Sequence, residues 1–281
     1  MNRTRFRLLA GALLALLVVA FVTATGAQSG PSREVRAARL AKAEAMFAER
    51  CKKAGEKIHR TVDNVEGIFL MKLRPEGINR ENQFAMDDPY GSDSGGEAYL
   101  KGFFLQSYLS ANRYASAEMT EYIRANYIGY RYIEANDPKD GKRYRYTGRI
   151  DQPWLRDKRY GEWVREFVLD KVPVSGAPPR YGVTYDDIST REEREYWIAG
   201  SSLKVIDLKT TEVIAERIGY MMDRGQGNDS GGRGPWLMAA SNACPRFGSE
   251  KPAIQGLPGF SQQHGQTRTF VVKALKPKLE K

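Results

Sequence analysis

The sequence predicts an α+β fold: an N-terminal helix packed on a mainly antiparallel sheet of about five to seven strands, with one disulfide. Three observations lead to this prediction. Runs in which Ile, Val and Tyr alternate with polar residues are typical of strands, and short turns join two pairs of them. A segment near the start is rich in Ala, Glu, Lys and Arg, as helices are. Two cysteines lie far apart in the 281 residues.

The helix is predicted over residues 33–57, where Val35, Leu40 and Phe47 share one stripe and the charged residues form the solvated side. Cys51 lies in this segment, and Cys244 lies near the far end of the chain. In an oxidising compartment an even pair of cysteines indicates a disulfide, so we expect Cys51 and Cys244 to be bonded.

Two hairpins are predicted. In the first, the alternating runs 203–208 and 213–218 flank a short connection at Lys209–Thr211. Both faces of these runs carry apolar residues, which favours the interior of the sheet. The second hairpin covers residues 127–150 and turns over residues 137–141, where Asp140-Gly141 is a strong turn signal. Residues 181–185 are predicted as a further strand, 156–169 as a short helix, and the end of the chain as at most a short strand before a flexible basic tail.

The second strand of the 127–150 hairpin places Arg143, Arg145 and Arg149 on one side, because side chains alternate along a strand. We call this side the arginine face. Guanidinium groups match carboxylates in a bidentate geometry, so the face is a candidate anion-binding surface, which Lys142 extends at the adjoining turn. The alternative is a solvated or edge-protecting charged face.

Residues 1–27 have the form of a secretory signal peptide: Arg3, Arg5 and Arg7, an uncharged run over residues 8–26, and a small-residue exit. The run is also long enough to serve as an N-terminal membrane anchor. Both interpretations place residues 28–281 across the membrane as a single exported α+β domain, either periplasmic or anchored in the inner membrane.

The formal net charge is +10, and about +7 remains without the three leader arginines. The exported body therefore favours acidic partners, either a protein or an anionic envelope component, and export argues against nucleic acid. No cofactor or metal is predicted. The chain has only two histidines, His59 and His264, and a zinc site needs several histidine or free cysteine ligands.

The tetrad Asp-Ser-Gly-Gly occurs at 93–96 and again at 229–232. It resembles the nucleophile segment of chymotrypsin-like serine proteases, which implies Ser94 or Ser230 as a nucleophile. The glycine that precedes the tetrad in that family is absent, and His59 stands in Lys-Ile-His-Arg rather than in the histidine segment of the family. Asp, Ser and Gly are also the residues that turns select. The glycine-rich loop over 223–235 lacks the spacing of a phosphate-binding loop.

These observations favour a non-enzymatic protein of the bacterial envelope that binds an acidic partner through Arg143, Arg145, Arg149 and Lys142. A protective inhibitor of an exported toxin or an accessory of an envelope machine would fit this description. One alternative is an envelope hydrolase that uses carboxylates or Ser230. The other is a membrane-tethered structural protein.

Overall fold

The computed structural model describes residues 32–76, 83–91, 95–104, 116–118, 121, 129–247, 263 and 265–278. The predicted leader or anchor, residues 1–27, lies outside these ranges. The chain divides into two compact units, Met1–Ala41 and Lys42–Lys281. The described part of the first unit is the exposed beginning of a helix. The second unit contains the remaining elements.

The described helices are α1 (Arg33–Cys51), α2 (Gly96–Lys101), α3 (Arg191–Glu195), α4 (Pro235–Ala239) and α5 (Gln266–Ala274). The strands are β1 (Gly55–Ile58), β2 (Val62–Val65), β3 (Gly67–Leu70), β4 (Tyr132–Asn136), β5 (Arg143–Asp151), β6 (Glu166–Pro173), β7 (Tyr181–Asp187), β8 (Ile198–Asp207), β9 (Glu212–Met222), β10 (Ala243–Cys244) and β11 (Leu275–Pro277).

Nine strands form one mixed sheet in the order β1-β9-β8-β7-β3-β4-β5-β6, with β10 also paired to β9. The β3 strand runs parallel to both of its neighbours, and the other pairs are antiparallel. A small parallel pair joins β2 and β11. The prediction of a mainly antiparallel sheet of five to seven strands was therefore wrong. Alternation reveals strands, but it does not reveal that long connections bring β4 and β7 to either side of β3.

The predicted β8–β9 hairpin is confirmed, and both strands lie inside the sheet, since β9 is flanked by β8 on one side and by β1 and β10 on the other. The chain leaves α1 at Cys51 and enters β1 four residues later. Gly55 of β1 pairs with Ile218, and Cys244 of β10 pairs with Tyr220 two residues further along β9. The predicted Cys51–Cys244 disulfide is present, because β1 and β10 both pair with β9 and so place the two cysteines close together.

The main core lies on one face of the sheet. It contains Ile68, Ile133, Val183 and Leu203 from the strands, and helix α5 adds Phe270, Val271 and Ala274, all fully or almost fully buried. The end of the chain was predicted as at most a short strand. A short strand, β11, is present at Leu275–Pro277. Helix α5, which was not predicted, precedes it, because Phe270, Val271 and Ala274 recur at helical spacing and cover the sheet.

Two other elements differ from the prediction. The helix ends at Cys51, and residues 55–58, which we assigned in part to it, form β1 against β9. Residues 166–173, assigned in part to a short helix, form the edge strand β6. In both segments, pairing with a neighbouring strand outweighs the intrinsic preference for helix, because such preferences are weak in short segments.

Candidate functional site

The arginine face lies on β5, on the side of the sheet opposite the core. Tyr144 and Tyr146 point to the core side, where Tyr146 is buried, and this leaves Arg143, Arg145 and Arg149 on the other side. In the β4–β5 register Arg145 stands opposite Glu134. The alternation in the sequence therefore gave the relative placement of the three arginines.

One buried carboxylate holds two of the arginines. Oε1 of Glu134 accepts hydrogen bonds from Nε and Nη2 of Arg145, at 3.1 and 2.8 Å. Oε2 of Glu134 lies 3.1 Å from Nε of Arg143. The Glu134 side chain is only 2% exposed, whereas that of Arg145 is 43% exposed. Glu134 thus fixes the guanidinium groups from below and leaves the outer edge of Arg145 in solvent.

Tyr132 supports Arg145 from the neighbouring strand. The guanidinium carbon of Arg145 lies 4.1 Å from the centre of the Tyr132 ring, which is a cation–π contact. The ring in turn covers Gly67, where an added Cβ would come within 2.3 Å of a ring carbon. Glycine at position 67 therefore leaves the space that Tyr132 needs beside Arg145.

Arg149 belongs to a second group at the other end of β5. It donates to Asp170 at 2.8 Å and to Asp151 at 3.2 Å, and Asp151 also accepts from both terminal nitrogens of Arg156. These hydrogen bonds, first from Arg156 and then from Arg149, lower the pKa of Asp151 to about 2. Asp151 is nearly buried, while the Arg149 side chain is 54% exposed. As at Glu134, one carboxylate with little exposure to solvent binds two arginines.

Lys142 lies at the start of the face, in the β4–β5 turn. Its backbone N–H donates to Oδ1 of Asp140 at 2.9 Å, and its carbonyl accepts from the N–H of Asp137 at 2.9 Å. The residue is exposed to solvent. The structure therefore places all four predicted residues on or beside one strand.

Sequence reasoning missed the acids that anchor the face. Asp151 has the same parity along β5 as the three arginines, so alternation could have revealed it. Glu134 could be identified only from the β4–β5 register, because that register sets which residues are cross-strand neighbours. Arg156 follows the strand and carried no periodic signal.

The structure does not bring His59 and Ser230 together. His59 donates its backbone N–H to Ile214 near the start of β9, at 2.9 Å. Ser230 is exposed in the loop beyond Met222, at the end of that strand. A strand rises about 3.4 Å per residue, so Ile214 and Met222 are about 27 Å apart. Asp93 and Ser94 of the first tetrad lie outside the described residues.

The glycine-rich loop is built around its own carboxylate. Asp223 is fully buried and accepts the backbone N–H groups of Gly225 and Gly227, each at 2.9 Å. Arg233 also binds this carboxylate. Backbone N–H groups arranged in this way form an anion-binding hollow, and here Asp223 fills it.

Within the described ranges, no cluster of three or more His, Cys, Asp or Glu side chains could hold a metal ion. No helix in the same ranges combines the length and apolar character that crossing a bilayer requires. Comparison of the chain with models of known protein families, with curated proteins and with solved structures finds no match.

Proposed function

We propose that this protein is a non-enzymatic component of the bacterial envelope that binds an acidic protein partner through the arginine face. The observation that carries the proposal is the way Glu134 and Asp151 hold exposed arginines from beneath. A side chain that is already ordered loses less conformational freedom when it binds, so such arginines bind carboxylates more favourably. The planar guanidinium also offers paired donors to a carboxylate.

Compartment and charge support the same proposal. The disulfide between Cys51 and Cys244 is typical of proteins in oxidising compartments, such as the bacterial periplasm. The leader-like sequence of residues 1–27 favours export, with the body either periplasmic or anchored to the inner membrane. The positive net charge would speed encounter with an acidic partner.

The decisive experiment is capture of partners from envelope extract by the purified protein and by the double variant Arg145→Glu/Arg149→Glu. The matched control is Lys53→Glu/Lys209→Glu, which makes the same change in charge at exposed positions outside the face. We expect the first variant to recover at least about tenfold less of an acidic partner, because charge-assisted hydrogen bonds are lost and repulsion replaces them. Equal recovery by both variants would refute the proposal.

A further inference from the structure

Arg217 of β9 is a buried cation with unused hydrogen-bond donors. The residue is 4% exposed, and its guanidinium carbon lies 5.4 Å from the centre of the Tyr90 ring and 5.6 Å from that of Phe270. Nη1 donates to the carbonyl of Gln266 at 3.2 Å. Nε and Nη2 have no hydrogen-bond partner among the described residues. Buried donors left in this way are costly, so the site is suited to an acceptor.

The two carboxylates whose charges act on Arg217 each bind another cation. Glu56 is opposite Arg217 in the β1–β9 register, but its carboxylate binds Lys273 at 2.7 Å. Asp88 lies 2.9 Å from Arg74, and both of these side chains are fully buried. This group of described side chains therefore contains three cations and two carboxylates. Burial lowers the pKa of Arg217, because the charged form is poorly solvated there.

The first turn of α5 lies beside Arg217. The helix begins at Gln266, whose carbonyl binds Arg217, and Gly265 before it supplies no side-chain cap. The N–H of Gln266 donates to the carbonyl of Gln263 at 3.4 Å, and the helix dipole makes this end of α5 positive. A helix N-terminus beside a guanidinium with free donors is a favourable place for an anion.

We propose that a small monovalent anion, such as chloride, binds the free donors of the Arg217 guanidinium beside the first turn of α5. One negative charge would balance the excess cation and accept hydrogen bonds from Nε and Nη2. The proposal is independent of the arginine face, which lies on the other side of the sheet. The competing occupant is a water molecule, which could bridge Nη2 and Oε1 of Gln266, an acceptor that also has no partner among the described residues.

A melting experiment separates the two occupants. The midpoint of thermal unfolding, Tm, is measured for the purified full chain in sodium chloride and in sodium gluconate at equal ionic strength. An anion that binds the native state raises Tm, by about 5–10 °C at about 100-fold excess over its Kd. We expect this difference in the parent protein and in the surface control Arg165→Met. We expect it to vanish in Arg217→Met, which keeps the approximate length of the side chain without its charge.

A second measurement covers the case in which Arg217→Met does not fold. Crystals of the parent protein are grown in sodium bromide, and the anomalous signal of bromide is measured. A bromide peak beside Arg217 and the first turn of α5 supports the proposal. A chloride-independent Tm in the parent protein, or a water molecule at the site with no bromide peak, would overturn it.

Discussion

The carboxylate of Asp223 binds the guanidinium of Arg233 across the glycine-rich loop, with Oδ2 2.9 Å from Nη1. The same carboxylate accepts the N–H groups of Gly225 and Gly227. The loop therefore closes around an internal anion. This explains how a segment with five glycines between 225 and 234 can adopt one defined conformation, and why its N–H groups need no external phosphate.

Replacing Asp223 should destabilise the protein more than most substitutions in a loop do. We expect Asp223→Ala to lower the free energy of unfolding by about 2–4 kcal/mol, because it removes hydrogen bonds to a charged, buried acceptor. Urea denaturation measures the effect. The control is Asp229→Ala, an exposed acid of the same loop with no side-chain cap interaction, for which we expect less than about 0.5 kcal/mol. Similar losses for both variants would show that Asp223 does not organise the loop.

The disulfide between Cys51 and Cys244 closes a sequence separation of 193 residues. In the chain-entropy model a loop of this length stabilises the folded state by about 5 kcal/mol, because it restricts the unfolded chain. We expect Cys51→Ala/Cys244→Ala to lower the midpoint of guanidinium denaturation in proportion. Reductant should lower the midpoint of the parent protein and leave that of the double variant unchanged. A parent midpoint that is insensitive to full reduction would contradict this.

The carboxylate of Asp207 should make the stability of the fold depend on pH in the acidic range. Hydrogen bonds from Arg180 and Arg60 hold the pKa of this fully buried carboxylate well below its usual value. A carboxylate with a lowered pKa in the folded state stabilises the fold fully above its unfolded pKa of about 3.9. That contribution is lost as the pH falls through the folded pKa.

We therefore expect the Tm of the parent protein to fall more steeply below about pH 4 than the Tm of Asp207→Asn. At neutral pH the variant should be less stable by about 1–3 kcal/mol, since both arginines are partly solvated and so retain part of their hydration. Circular dichroism melts between neutral pH and about pH 2 test both statements. Asp63→Asn, which removes an exposed acid, should keep the slope of the parent protein.

Features that depend on local patterning could be predicted from the sequence. Alternation identified the β8–β9 hairpin and put Arg143, Arg145 and Arg149 on one side of a strand. The parallel neighbours of β3 were not predicted, because they depend on long connections whose path is set by tertiary packing. Helix α5 was missed for a related reason: its apolar residues are few, and the face of the sheet they cover is formed by distant strands.

Glu134 provides a test of whether ordered arginines or simple positive charge attract the partner. Glu134→Gln raises the net charge by one and removes the carboxylate that orients Arg143 and Arg145. If orientation matters, capture of the acidic partner should fall by about tenfold in spite of the added positive charge. If bulk charge matters, capture should rise, as it should in the control Glu162→Gln, which removes an exposed acid outside the face. The measurement is the dissociation constant of the captured partner for the parent protein and both variants, at a temperature where circular dichroism shows all three folded. Tighter binding by Glu134→Gln than by the parent protein would assign the interaction to net charge, and the buried carboxylate would then have a role in stability alone.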